Sequence, residues 1–470
     1  MKIKTRFAPS PTGNLHFGNI RTALFSWLFA KKNDGKFFLR IEDTDVLRNV
    51  EGSVKNIIKV MKWLGLNWDE KIYFQSKRLY LYKKIIFFML KNGFAYKCYC
   101  SKTVLEEKRN YQILNNEKPK YDGTCRNIQN SNFIFNNSFV VRFRNPLKGY
   151  VKFFDEIRGI IKFKNSELDD FIIQRRNGMP TYNFCVVADD LDMKITHVIR
   201  GEDHISNTPK QVNIFTALSA NVPKYAHLPI LLDENKKKFS KKNNNNDFFK
   251  YFEEGFLPEA MLNYLVRLGW SHGNKEIFSI DEMKNLFSFK NVSKSSSIFD
   301  KKKLLYLNKY YINNFTNEKI ISLLKYYFDK ENIDILNGPN VKKVFKVFKN
   351  RCFSLREIVI CSSYLYKKCV NFKNLFLVKC NKKKFLIILK VVYFNFKNIK
   401  IWISSEIWKT IQLISYKNNF SLKKIIYILR KIFTGKSSSP SISKILYLIG
   451  YAKVIFSLKK FIFFIIKKFF

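Results

Sequence analysis

The sequence predicts an α/β domain built on a parallel sheet, followed by an all-helical carboxyl-terminal region. Three features support this fold class: an amino-terminal strand–loop–helix unit, acidic residues directly after later strands, and helical periodicity from about residue 300 onward. Parallel α/β sheets bind ligands at the carboxyl ends of their strands, where these acidic residues fall. A chain of 470 residues is too long for one core and favours two to four domains.

The amino-terminal unit starts with a strand at 2–7, where apolar and basic residues alternate. A turn rich in Pro and Gly follows, and a helix begins near His16 and Gly18. A helix start offers unpaired N–H groups that suit a phosphate, Gly18 allows close approach to the backbone, and His16 can donate to a phosphate oxygen. The alternative is an ordinary loop whose histidine caps a helix.

A second strand at 36–41 ends in Glu42, which is placed to accept a hydrogen bond from an ammonium group. The alternative is an acidic turn in solvent. Helices are expected at 51–64 and 73–92, and further strands at 139–144 and 151–154.

Another strand, at 195–199, leads into Arg200, Gly201, Glu202 and Asp203, where the arginine can pair with a carboxylate and the acids with ribose hydroxyls. The alternative is a charged loop held by its own ion pairs. A strand at 228–232 then precedes a polar, Asn-rich loop that carries Lys238 and Lys241. Mobile lysines that close over phosphates stabilise developing charge, although a surface lysine run is the default in so basic a chain.

The net charge of +48 points to a polyanionic partner, with nucleic acid the leading candidate. Residues 301–470 carry 36 Lys and Arg against 6 Asp and Glu, whereas residues 1–300 carry 49 against 31. Drift towards AT-rich codons also inflates the lysine count, and charge alone does not separate the two explanations.

The eight cysteines form no disulfide framework for a chain of this size, and the amino terminus lacks an apolar signal core. The apolar carboxyl terminus is broken by lysines and too short to span a bilayer, so a basic amphipathic helix is expected there. These features favour a cytoplasmic protein, with a monomer as the default.

Three stretches, taken in order, resemble class I aminoacyl-tRNA synthetases of the glutamyl-specific branch along essentially the whole chain. The first, PSPTGNLHFGN at 9–19, is similar to the "HIGH" signature, with Asn19 as a departure at its last position. The second is IRGEDHISNTP at 199–209, and the third, KFSKK at 238–242, is similar to the "KMSKS" loop.

This resemblance implies a Rossmann-like catalytic domain with an inserted acceptor-stem-binding subdomain, followed by all-α anticodon-binding domains. The helical end also favours a glutamyl enzyme over a glutaminyl one, which is expected to end in β-barrels. The implied boundaries are 1–95 and 181–235 for the two catalytic halves, 96–180 for the insertion, 236–300 for the KMSKS loop and stem-contact region, and 301–470 for the anticodon-binding region.

The implied substrates are ATP with Mg²⁺, L-glutamate and tRNA-Glu. His16, Lys238 and Lys241 are the expected catalytic residues. The expected ATP contacts are Pro11, Gly13, His16, Gly18, Asn19, Gly201, Glu202, Asp203 and Lys241. The expected glutamate contacts are Arg6, Ser10, Glu42, Tyr182 and Arg200.

In some bacterial relatives, the pattern of Cys98, Cys100 and Cys125 holds zinc with a fourth ligand two residues after the last cysteine. That position is Asn127 here, and zinc rarely takes an amide ligand. Tyr121 or Asp122 is a possible substitute, but three reduced thiols without metal are the favoured interpretation.

Three functional alternatives remain from the sequence. The first is an enzyme that also glutamylates tRNA-Gln. The second is a tRNA-binding relative without catalysis. The third, a relative that glutamylates a modified tRNA base, is disfavoured because such relatives lack the helical region at 301–470.

Overall fold

The computed structural model describes residues 2–127, 138–237, 248–367 and 382–469. Contacts divide the chain into two compact units, Met1–Lys250 with Met261–Lys301, and Tyr251–Ala260 with Lys302–Phe470. The domain boundaries given above are finer than this division and stay a prediction.

The described residues form twelve β-strands. They are β1 Lys4–Phe7, β2 Lys36–Ile41, β3 Tyr73–Phe74, β4 Ala95–Cys98, β5 Val140–Phe143, β6 Tyr150–Asp155, β7 Gly159–Lys164, β8 Ile172–Gln174, β9 His197–Gly201, β10 Lys224–Leu228, β11 Leu231–Leu232 and β12 Ser297–Ile298.

Eighteen α-helices accompany these strands in the described parts of the chain. They are α1 Phe17–Lys32, α2 Ser53–Trp63, α3 Leu79–Lys91, α4 Lys102–Leu114, α5 Tyr182–Asp192, α6 Thr208–Ala217, α7 Phe248–Glu253, α8 Pro258–Arg267, α9 Ile280–Leu286, α10 Lys301–Asn314, α11 Asn317–Lys330, α12 Val341–Phe348, α13 Leu355–Ser362, α14 Lys382–Lys397, α15 Ser404–Lys417, α16 Leu422–Thr434, α17 Ile442–Ile449 and α18 Tyr451–Phe469.

The first unit is organised around parallel strands. β1 pairs with β2 and β2 with β3, while β9 pairs with β10, all in parallel. The N–H of Thr196 donates to the carbonyl of Lys4 at 3.0 Å, which joins the start of β9 to β1. The carboxyl ends of β1, β2 and β9 therefore lie along one edge, as the sequence predicted.

The β6–β7 hairpin extends this sheet beside β10. β6 is parallel to β10, with Tyr225 opposite Asp155, and β7 is antiparallel to β6. Strands β4, β5 and β8 form a separate antiparallel sheet.

Helix α1 packs against the parallel sheet because its apolar residues recur at helical spacing. Ile20, Ala23, Leu24 and Leu28 are fully buried. The helix begins directly after His16, as predicted.

Two predicted elements differ in detail. The expected strand 228–232 is interrupted at Pro229, which has no N–H for a sheet ladder, so β10 ends at Leu228 and β11 begins at Leu231. The helix expected at 73–92 begins only at Leu79. Tyr73 and Phe74 pair with β2 instead, and a 3₁₀ turn follows them before α3 begins.

The second unit is helical in its described residues, as predicted, and its terminal helix α18 buries Val454, Leu458, Phe461 and Ile465 along one face. Within the described ranges, no helix combines the length and apolar character that crossing a membrane requires.

Candidate active site

A pocket of about 490 Å³ lies in the first unit, where β1 and β9 end and α1 begins. Most of the predicted binding residues line it. These are Arg6, Ser10, Gly13, His16, Gly18, Asn19, Glu42, Tyr182, Arg200, Gly201 and Asp203.

Four predicted residues are not among its lining. Pro11 and Glu202 lie beside it, and the carbonyl of Pro11 accepts from the N–H of Val50 at 2.9 Å. Lys238 and Lys241 lie outside the residues that the structure describes, so their predicted roles stay predictions.

His16 is the N-cap of α1, and it forms a reciprocal pair of hydrogen bonds with Asn19, one of which reaches its imidazole. The N–H of Asn19 donates to Nδ1 of His16 at 3.4 Å, and Oδ1 of Asn19 accepts from the N–H of His16 at 3.2 Å. Because Nδ1 accepts, the proton of a neutral His16 resides on Nε2. Asn19, which departs from the motif, therefore caps the start of α1 and orients His16.

Glycine at position 18 leaves room for the imidazole of His16. A Cβ at this position would lie 3.1 Å from both Cε1 and Nδ1 of His16, which is tighter than ordinary van der Waals contact. A side chain here would therefore displace the imidazole.

Arg6 projects from β1 onto the pocket wall and is anchored from behind by Asp190. Its Nε and Nη2 donate to the two oxygens of Asp190 at 3.1 and 3.2 Å. Within the described ranges, Nη1 makes no hydrogen bond to protein, so the Nη1 edge is available to a ligand carboxylate.

Glu42 lines the same wall, and one of its oxygens accepts from Nη2 of Arg40 at 3.2 Å. Burial raises the pKa of Glu42 above its ordinary value, although Arg40 and Arg6 oppose this effect. A ligand ammonium at the second oxygen would favour the charged carboxylate.

Behind these residues is a buried charge network that the sequence analysis missed. Fully buried Arg40 donates to Asp190 at 2.6 Å and lies 3.5 Å from Asp189. Asp189 also accepts from Gln75, Arg78 and Tyr82 at 2.7 to 3.0 Å. The sequence did contain a signal for this network, because charged residues stand within otherwise apolar elements. Arg40 lies within strand 36–41, and Asp189 and Asp190 lie within the apolar helix α5.

Arg200 is the most heavily bonded side chain of the site. Its Nε donates to His227 at 3.2 Å, Nη1 to Gln211 at 2.9 Å, and Nη2 to Thr208 at 2.7 Å. A longer contact of 3.5 Å joins Nη2 to the carbonyl of His204. These contacts occupy four of the five guanidinium protons and fix the orientation of the group.

Tyr182 begins α5 and lines the pocket. Its hydroxyl lies 3.1 Å from Nδ1 of His204. Loss of hydration, and then the charge of Arg200, lower the pKa of His204 to about 4, so this imidazole is neutral near pH 7. The tyrosine hydroxyl is therefore next to an uncharged partner.

Gly201 and Glu202 support the pocket in different ways. The carboxylate of Asp203 occupies the space where a Cβ of Gly201 would lie, so glycine is needed there. Glu202 forms an ion pair with Arg158 and accepts from the N–H of Ile230 at 2.9 Å. Glu202 thus supports Ile230, which lines the pocket, from behind.

The three cysteines that the sequence analysis considered as a metal site, and favoured as metal-free thiols, do come together. Sγ of Cys100 is 3.5 Å from Sγ of Cys125, and the Tyr121 hydroxyl is 3.4 Å from Sγ of Cys98. The Asn127 amide oxygen instead faces Arg144 at 3.4 Å. Three thiols fit three corners of a zinc tetrahedron, and the phenol of Tyr121 is the nearest oxygen for the fourth.

The comparisons with known proteins agree across both units. A model of the tRNA synthetases class I (E and Q) catalytic domain matches residues 2–306, and an anticodon binding domain model matches residues 318–462. A glutamate–tRNA ligase of Buchnera aphidicola subsp. Acyrthosiphon pisum is 52% identical over 455 residues, covering 97% of each chain. A glutamate–tRNA ligase of Wigglesworthia glossinidia brevipalpis is 52% identical over 98% of this chain and 97% of its own.

Among solved structures, a glutamate tRNA ligase from Elizabethkingia meningosepticum in complex with its amino acid superposes with a TM-score of 0.81. It is 29% identical, and the match covers 98% of this chain and 99% of the other. The family and fold class inferred from the three motifs are thereby confirmed. Since the likeness runs from the catalytic sheet through the helical region, the chain belongs to the glutamyl-tRNA synthetases of class I.

Proposed function

We propose that this enzyme attaches L-glutamate to tRNA-Glu in two steps, with ATP as the energy source and glutamyl-adenylate as the intermediate. The observation that carries the proposal is the pocket that combines His16 at a helix start with Arg6, Glu42 and Arg200. It offers a phosphate site next to groups for an amino acid with two carboxylates. The reaction belongs to translation in the cytoplasm.

In the first step, ATP lies with its phosphates at the start of α1, and Mg²⁺ neutralises part of the triphosphate charge. A carboxylate of glutamate attacks the α-phosphorus and pyrophosphate leaves. The Nε2–H of His16 donates to the oxygen on which charge develops, while Asn19 holds the ring in that tautomer. Pro11, Gly13, Gly18, Gly201 and Asp203 shape the nucleotide cradle.

Glutamate is recognised through its charges. Arg6 presents its Nη1 edge to one carboxylate, and the remaining proton of Arg200 contributes a second contact. Glu42 receives the ammonium group, and Ser10 and Tyr182 complete the pocket. A site built around a buried charge rejects analogues that lack that charge by a factor on the order of 10⁴ or more.

Lys238 and Lys241 are proposed to close over the phosphates as the transition state forms. Their support is the KFSKK motif and its position after β11. They act by charge stabilisation, as His16 does, and no covalent enzyme intermediate is required.

In the second step, a terminal ribose hydroxyl of tRNA-Glu attacks the activated carbonyl of glutamyl-adenylate, which forms the glutamyl ester and releases AMP. The segment 96–180 is proposed to hold the acceptor end, and 301–470, with its 36 basic against 6 acidic residues, to hold the anticodon arm. The segment 236–300, which carries the KMSKS-like motif, is proposed to contact the stem of the tRNA.

The deciding experiment is aminoacylation of purified tRNA-Glu and tRNA-Gln with labelled glutamate. We expect glutamylation of tRNA-Glu, and ATP–pyrophosphate exchange that is much faster with tRNA than without it. Label on both tRNAs would establish the broader specificity. Absence of exchange and of label under all conditions would leave a tRNA-binding protein without catalysis.

A further inference from the structure

The wall that carries Arg200 is supported by a buried histidine–aspartate pair. Asp155, the last residue of β6, is fully buried, and its Oδ2 accepts from both the N–H and Nδ1 of His227 at 3.0 and 2.6 Å. Because Nδ1 donates, Nε2 of His227 is an acceptor, and it receives the Nε–H of Arg200 at 3.2 Å.

The protonation states suit this chain of contacts. Burial lowers the pKa of His227 below its ordinary value, which keeps the ring neutral and its Nε2 free of a proton. Burial opposes ionisation of Asp155, but the hydrogen bonds from His227 and from the Arg158 N–H outweigh it and lower the pKa of this carboxyl. The pair is therefore a neutral imidazole between a carboxylate and a guanidinium.

We propose that Asp155 and His227 are positioning residues that orient Arg200 towards a carboxylate of the amino-acid substrate. This inference rests on the proposed function, since it deepens the role of Arg200 in glutamate binding. Neither residue lines the pocket, so each acts only through Arg200.

The turn between β6 and β7, which follows Asp155, makes a second connection to the pocket. Oδ1 of Asp155 accepts from the N–H groups of Ile157 and Arg158 at 3.0 and 2.9 Å, which fixes the turn between β6 and β7. The Arg158 side chain then pairs with Glu202, so one short turn supports the residues on both sides of Gly201. The β6–β7 hairpin is thereby tied to the amino-acid pocket.

Asp155→Asn tests the proposal because an amide cannot accept all four of these hydrogen bonds. With the amide nitrogen towards His227, the imidazole proton must move to Nε2, where it opposes the Nε–H of Arg200. We expect the glutamate KM to rise about 10-fold or more, as for the loss of one hydrogen bond to a charged group, while the ATP KM and kcat stay within about 2-fold.

The matched control is Glu156→Gln on the same turn, whose carboxylate faces Lys224 at 3.7 Å and which should leave every constant unchanged. His227→Gln keeps a donor for Asp155 and an acceptor for Arg200 and should approach the unaltered enzyme, whereas His227→Ala should resemble Asp155→Asn. If Asp155→Asn does not fold, the comparison of His227→Gln with His227→Ala tests the proposal instead.

An unchanged glutamate KM in Asp155→Asn or His227→Ala, or an equal change in both KM values and kcat, would overturn the inference. Failure of the unaltered enzyme to charge tRNA would instead overturn the proposed function, so the two outcomes are distinguishable.

Discussion

The N–H of Asn19 reaches back to Nδ1 of His16, so the residue at the end of the signature motif decides which imidazole nitrogen carries the proton. The bond comes from the backbone and survives side-chain replacement. The side chain of Asn19 adds the second half of the capping box.

His16→Ala should lower the rate of glutamate activation by about 10² to 10³, the loss typical of one transition-state donor. Asn19→Ala should lower the free energy of unfolding by about 1 kcal/mol while most of the rate remains, because only the cap is lost. Single-turnover kinetics and thermal denaturation of the two variants separate these effects. Equal rate losses in both would show that the Asn19 side chain itself acts in catalysis.

Arg6→Ala should raise the glutamate KM about 10- to 100-fold with little effect on ATP binding, because hydrogen bonds between charged groups are lost. Stability should fall too, since Asp190 loses one of its two arginine partners. Lys31→Ala, which breaks a partly exposed ion pair with Asp69, is the control. It should change neither the glutamate KM nor the ATP KM. A normal glutamate KM in Arg6→Ala would remove Arg6 from the binding site.

Lys241→Ala should reduce the activation rate by about 10² to 10³, as expected for a cation that meets charge only in the transition state. Lys236→Ala, a few residues earlier in the chain, is the comparison and should have little effect. Pre-steady-state measurement of adenylate formation tests both variants. Near-normal turnover in Lys241→Ala would make the KFSKK segment an ordinary surface loop.

Stability should decline as the pH falls from about 6.5 towards 4. Burial lowers the pKa of His197 to about 4, and burial with Arg200 does the same for His204. The unfolded chain, in which histidine titrates near 6.5, then binds more protons than the folded one across this window. Thermal melts at stepped pH should show the decline, and His197→Asn should flatten it. A flat profile in the unaltered enzyme would contradict the buried, neutral imidazoles.

The thiol cluster should hold zinc weakly, because Asn127 faces Arg144 and Lys108 holds the carboxylate of Asp122 at 2.6 Å. We expect zinc to be lost on dialysis against a chelator, as measured by elemental analysis. Asn127→His supplies a fourth ligand and should retain about one zinc per chain. Stoichiometric zinc in the unaltered protein would refute this expectation, and Tyr121→Phe would then show whether the phenol completes the site.

Local patterns were sufficient to predict much of the catalytic core. The strand, turn and helix around His16 appear where the spacing of apolar residues and the Gly-Pro turn placed them, and β2 matches its expected bounds of 36–41. Those features depend on neighbours within a few residues. The all-helical carboxyl-terminal region could be predicted for the same reason.

Ion-pair partners that are distant in sequence could not be predicted from local patterns. Asp190 meets Arg6 across 184 positions and Arg40 across 150, and no periodicity encodes that pairing. Glu202 and Asp203 are adjacent in sequence, yet only Asp203 lines the pocket, because both lie in the 3₁₀ turn after β9, where successive side chains point in different directions.

Arg40 has a consequence for how the composition of this chain should be understood. The sequence contains 68 lysines and only 17 arginines, so lysine supplies most of its positive charge. At position 40 a single ammonium could not reach three carboxylates that a planar fork bridges at once. A lysine at this position, although lysine is the commoner cation of the chain, would leave buried carboxylates unpaired, so position 40 requires the planar geometry of arginine as well as its positive charge.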